Sequence, residues 1–259
     1  MLDVRAMTLA LAVIAVLAVI GWAISVAKRD VGIVDSLWSL FFLLAVVTFE
    51  WANTTNGPRA ALLVGMVTLW SLRLSGYITW RNHGQPEDRR YQAIRASNEP
   101  GFVWKSLFIV FLLQGVLAAI IGAPLVVGIA SPARLNVVDA IGVAVWAYGF
   151  AFEAIGDYQL ARFKGNRANR GRVMDTGLWR YTRHPNYYGE AMLWWGYYLV
   201  AAAGGGWWTI FSPLLMAFLL LKVSGVRLLE KDIGERRPAY RDYIARTNAF
   251  FPGPPRKVV

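Results

Sequence analysis

The residues able to do chemistry in this chain are few, and they gather where apolar segments begin or end. Glu153 and Asp157 in "FEAIGDYQLARF" stand four apart, so a helix presents both carboxylates on one face. A basic, glycine-punctuated stretch follows, with Arg162, Lys164, Asn166 and Arg172. Carboxylates accept ribose hydroxyls and guanidinium groups fork onto phosphate, so this set suits a nucleotide. An internal salt-bridge network would explain the arginines well and the two acids poorly. Further on, Asn186 and Glu190 in "RHPNYYGE" share a helical face, and Arg227 and Lys231 are one turn apart near Glu230.

A second group lies earlier. Asp35 occurs in "GIVDSLW", and Arg73 and Tyr77 are one turn apart in "WSLRLSGYITW". A phenol beside a cation is a candidate acid or hydrogen-bond donor. The plain alternatives are a dipole-favoured carboxylate at a helix start, an arginine reaching for headgroups and a tyrosine in an aromatic belt.

Composition narrows the chemistry. The 259 residues contain no cysteine, which excludes disulfides, thiol nucleophiles and thiolate metal sites, and two histidines are too few for a histidine-built metal centre. The net charge of +11 is concentrated in segments between apolar blocks, so it reads as membrane topology rather than nucleic-acid binding.

The positioning elements are therefore membrane helices. Seven spans are expected, at about 6–27, 33–51, 60–81, 104–130, 136–161, 188–204 and 207–229, each near the roughly 20 residues needed to cross hydrocarbon. Pro124 and Pro213 are expected to kink the fourth and seventh. With seven spans every strongly basic connection falls on one side, predicting the N-terminus outside and the C-terminus in the cytoplasm. "PGPPRKVV" reads as a frayed end. The fold class expected is thus all-α, one polytopic domain of seven transmembrane helices.

Taken together, "GLWRYTRHPNYYGE", the preceding "DYQLARFKGN" and the later "VRLLEKDIGERRPAYRDYIARTNAFFP" resemble the C-terminal region of the membrane steroid 5α-reductases and their bacterial relatives. The likeness is good over about residues 150–255 and weaker before, where "GIVDSLW" and "RLSGY" look like the family's second and third helices. The resemblance implies an NADPH-dependent reductase that passes a hydride to the activated double bond of a 3-oxo-4-ene steroid or similar lipid enone. Helices within 1–130 would form the substrate pocket, and 131–259 would bind NADPH. Matching cofactor positions are Asp157, Arg162, Asn186, Glu190, Arg227 and Lys231, with Glu153, Lys164, Asn166 and Arg172 completing the contacts. Tyr77 matches the family's donor to the carbonyl oxygen, and Asp35 is the nearest counterpart of its glutamate. The resemblance also implies a monomer in a bacterial inner membrane, among membrane lipids, with its cofactor side facing the cytoplasm, no metal and no nucleic-acid partner.

"RHPNYYG" and the later acid and tyrosines also resemble membrane methyltransferases that act on isoprenylcysteine or phospholipid headgroups with S-adenosylmethionine. Asn186, Glu190, Asp157 and the "RLSGY" helix favour the reductase. A transporter would be expected to show paired repeats or broken helices in corresponding halves, which the sequence lacks.

Overall fold

The computed structural model describes residues 2–223, 225, 226, 230, 233 and 238–256. Helices account for its regular structure, and the described residues contain no strand. Among the described residues, five helices are long and apolar enough to cross a membrane, marking an integral membrane protein. The chain divides into two compact units.

The first unit comprises 1–135 with 204–206. It contains α1 (Val4–Lys28), α2 (Ile33–Ala52), α3 (Arg59–Asn82), α4 (Arg89–Asn98), α5 (Phe102–Ile121) and α6 (Ala123–Ala130). Asp3 caps α1 by accepting from the Arg5 and Ala6 amides, and Arg29 ends it in the left-handed region. The buried stripe of α1 is built from small residues, Ala6, Ala10, Ala18, Gly21 and Ser25 among them, allowing neighbouring helices to approach. A Cβ on Gly21 would lie 2.3 Å from Leu37 Cδ1.

In the same unit, α2 and α3 are joined by the Ser39 hydroxyl donating to the Ser71 carbonyl at 3.0 Å and by the Phe42–Trp70 ring contact. Arg59 is fully buried and donates to the Ala133 and Arg134 carbonyls at 2.6 and 3.0 Å. The expected span 104–130 is broken at Gly122. Pro124 stands near the start of α6 and has no N–H to continue the ladder of α5. Within α5, a π-helical turn covers Leu107–Leu112. The short, polar α4 was not among the expected elements; Asp88 caps it by accepting from the Arg90 amide at 2.8 Å.

The second unit comprises 136–203 and 207–259. It contains α7 (Val137–Gly165), α8 (Pro185–Ala203), α9 (Trp207–Val223) and α10 (Ala239–Arg246). A reciprocal box starts α7, the Asn136 side chain accepting from Val138 N and Asp139 accepting from Asn136 N. Glycines then bring α7 and α8 together. Gly142, Gly149 and Gly156 recur every seven residues on α7, as do Gly189 and Gly196 on α8. A Cβ on Gly149 would lie 2.4 Å from Leu193 N, and one on Gly189 2.4 Å from Glu153 N. Backbone therefore packs on backbone, and no side chain larger than hydrogen fits at the crossing.

α9 is 3₁₀-helical over Trp207–Ile210 and π-helical over Leu219–Val223, so its ends depart from regular α geometry. The expected frayed tail is anchored as far as described: Gly253 N donates to Tyr181 O at 3.1 Å, and Arg256 N donates to Arg246 O at 2.8 Å. Backbone groups left over by turns at 181 and 246 supply the acceptors that hold it.

Candidate functional site

The glycine-lined pairing of α7 and α8 determines where the acids go. Gly156 lacks the Cβ that would meet Asn186 N at 3.2 Å, and Pro185 begins α8 with the φ a first helical turn requires. Asn186 then donates to Asp157 Oδ1 at 3.2 Å. Glu153, one turn earlier on α7, and Glu190, one turn later on α8, are 2% and 7% exposed, and Asp157 is 4% exposed. The fully buried Tyr197 phenol interacts electrostatically with both glutamates. Four of the residues predicted from sequence thus belong to one helix pair, two of them hydrogen-bonded to each other. A buried carboxylate is tolerated only where polar groups surround it, so this cluster is a polar interior within an otherwise apolar pair.

Arg162, Lys164, Asn166 and Arg172 are exposed at or beyond the C-terminal end of α7. Asn166 caps the next 3₁₀ turn by accepting from Ala168 N at 3.0 Å, which gives it a local structural task. Arg162 and Lys164, in the last turn of α7, complement the carbonyl end of the helix dipole. Arg227 and Lys231 lie outside the described residues.

A second polar cluster of this unit surrounds the start of α8. Arg183 forks onto Glu230, Nε to Oε1 at 2.7 Å and Nη2 to Oε2 at 2.8 Å, while His184 Nε2 is 2.9 Å from the same Oε1. The remaining Arg183 nitrogen, Nη1, donates to the Ile244 and Thr247 carbonyls. Burial opposes the ionised form of Glu230, but hydrogen bonds from His184 and Arg183 and their charges outweigh it and hold the carboxyl down to about 2. The Tyr243 phenol donates to the Trp179 carbonyl at 2.5 Å, and burial pushes it above its usual range, with Tyr240 adding to the shift. Trp179 in turn donates to the Gly156 carbonyl at 3.0 Å. The Arg183–Glu230 partnership spans 47 residues, and no spacing rule on the sequence points to it.

In the first unit, Asp35 occupies the first turn of α2. Its Oδ2 accepts from Arg90 Nη2 at 2.8 Å, and its Oδ1 accepts from the Tyr91 phenol at 2.5 Å. Burial raises the Tyr91 phenol well above its usual range, reinforced by the facing Asp35. The Arg90 guanidinium loses some preference for charge through burial, but Asp35 more than restores it, so its proton is held more firmly than usual. Tyr77 on α3 packs against Trp80 at 6.1 Å between ring centroids and lies under the Arg81 guanidinium at 5.8 Å. A phenol is therefore bonded to Asp35, and it belongs to α4, an element whose polar sequence offered no apolar span to mark it.

The chain belongs to a family described as a protein of unknown function, DUF1295, whose model matches residues 21–247. It is similar to an uncharacterized protein of Schizosaccharomyces pombe, with 26% identity over 262 residues covering 89% of this chain and 75% of that relative. No solved structure is significantly similar. The match takes in α2 through α10 and both polar clusters of the second unit.

Proposed function

We propose that the protein is an NADPH-dependent membrane reductase that adds hydride to the activated double bond of a 3-oxo-4-ene steroid or similar lipid enone. The observation that supports this most is the gathering of Glu153, Asp157, Asn186 and Glu190 on the glycine-lined α7–α8 pair, whose connection begins with an arginine-rich, exposed stretch. The donor set suits the group: carboxylates and an amide for ribose and nicotinamide, guanidinium and ammonium groups for phosphates. On this reading Asp157, Asn186, Glu190 and Glu153 would hold the polar ring substituents. Arg162, Lys164, Asn166 and Arg172 would meet the phosphates, joined by Arg227 and Lys231. When bound, NADPH supplies the hydride.

Addition at the β-carbon of an enone leaves negative charge on the carbonyl oxygen, so the chain must present a donor there. Tyr77 is the proposed donor and Asp35 the carboxyl proposed to position it. Tyr91, bonded to Asp35, is the competing phenol, and Tyr77→Phe and Tyr91→Phe separate the two roles. Loss of enone turnover with retained nucleotide binding in Tyr77→Phe alone supports Tyr77; loss in Tyr91→Phe alone transfers the role. Seven membrane crossings with the basic connections in the cytoplasm complete the reading, α8 and α9 adding segments of about 28 and 26 Å at 1.5 Å per residue. A bacterial inner membrane and a monomeric chain among lipids are part of the same proposal.

The decisive measurement identifies the nucleotide retained by protein purified in mild detergent, by mass spectrometry. NADPH or NADP⁺ is expected. S-adenosylmethionine or its demethylated product would replace the reductase reading with a methyltransferase one, since the Arg183–His184 segment is common to both resemblances.

A further inference from the structure

α4 is held by charge where the other helices of its unit are held by apolar packing. Of its ten residues only Tyr91 is buried, and Arg90, Tyr91 and Arg95 each anchor it through a carboxylate. Tyr91 and Arg90 both close on Asp35, at 2.5 and 2.8 Å. Just before the helix, Glu87 accepts from the Val31 amide at 2.9 Å in the turn between α1 and α2, and its carboxylate is also gripped by Arg95 at 2.7 and 3.1 Å. Arg95 in turn lies over the Phe102 ring at 4.6 Å. Two carboxylates, one on each side of the contact, thus tie α4 to the start of α2.

The segments flanking α4 have the opposite character. Gly84 and Gly101 adopt φ of +70° and +90°, and a Cβ on either would meet no heavy atom within 4 Å. Each is a left-handed turn in open surroundings, able to absorb backbone rotation without displacing a neighbour. Partly exposed ion pairs are individually weak and separable, whereas an apolar interface is not released piecemeal.

We propose that α4 is a hinged strap, latched onto the α1–α2 turn by Asp35 and Glu87 and released as a unit about Gly84 and Gly101. Release uncovers the Asp35 carboxylate and the first turn of α2. The inference goes beyond the proposed reaction and stands for a reductase or a methyltransferase alike.

The test is amide hydrogen exchange of the full chain in detergent or nanodiscs, comparing wild type with Asp35→Asn and, separately, Glu87→Gln. Each variant is expected to accelerate exchange over Arg89–Asn98 roughly tenfold, the loss of one charge-assisted hydrogen bond, while the middle turns of α1, α2 and α3 keep wild-type rates. Unchanged exchange in α4 in both variants would overturn the latch. Equal acceleration across α1–α3 would overturn the strap, because the carboxylates would then be braces of the whole unit.

Discussion

Replacing Gly189 by alanine tests the geometry on which the α7–α8 site depends. The new Cβ would stand 2.4 Å from Glu153 N, 2.6 Å from Gly149 O and 2.8 Å from Glu153 Cα. All three are backbone atoms, so no rotamer change relieves the clash. Restoring ordinary contact, at about 3.4 Å, requires the helices to part by about 1 Å, a gap that forfeits a quarter to a half of each dispersion contact along the stripe. Overpacking of this kind costs about 3 kcal/mol, and alanine's better helix propensity returns about 1. The net loss of about 2 kcal/mol corresponds to a fall of about 4–8 °C in Tm for a chain of this size. Thermal unfolding in detergent, followed by near-ultraviolet circular dichroism, reads it directly. Gly65→Ala is the matched control: it lies inside α3 with nothing within 4 Å of a Cβ, and it should leave Tm unchanged or raise it by a few degrees. Equal effects of the two substitutions would refute the claim of backbone-on-backbone packing. Asn186 is one turn from Gly189, so on the proposed reading the variant should also weaken nucleotide retention.

Glu230→Gln should change how stability responds to acid. The folded carboxyl is held to about 2, below its ordinary 4.5, so its ionised form stabilises the protein above about pH 4.5, and that contribution fades as pH falls toward 2. The Tm difference between wild type and variant is expected to be constant above about pH 5 and to shrink by about pH 3; a difference that stays flat across this window would remove Glu230 from the linkage. Asn136→Ala removes the acceptor for Val138 N and should cost about 1 kcal/mol, seen as faster amide exchange confined to the first turn of α7. Fraying spread through α7 would show that the box does more than cap.

Legibility in the sequence followed the range of each interaction. The helical segments were visible because bilayer thickness imposes a length, and Glu153 and Asp157, or Asn186 and Glu190, were visible as pairs because four residues make one turn. The seven-residue recurrence of Gly142, Gly149 and Gly156, repeated at Gly189 and Gly196, was equally present and predicts the close crossing, yet it is easily overlooked within apolar runs. The break at Gly122 was partly legible, since Pro124 signals a kink without saying that a new helix begins. What spacing does not reveal is partnership across the chain. Glu230 meeting Arg183 and His184, or Tyr91 meeting Asp35, depends on how separate helices end beside one another, and α4 carries too little apolar residue to announce itself.

The anchoring of the segment before α8 has a consequence for the order of events during synthesis. Thr182 and Arg183 draw acceptors from Ile244, Thr247, Ala249 and Phe250, residues made 61 to 68 positions later. The α7–α8 pair can therefore form before the groups that fix its approach exist. A ribosome-stalled chain ending before Ile244 should pair α7 with α8 and still leave Arg183 without these backbone acceptors, so completion of this cluster waits on α10 and the residues after it.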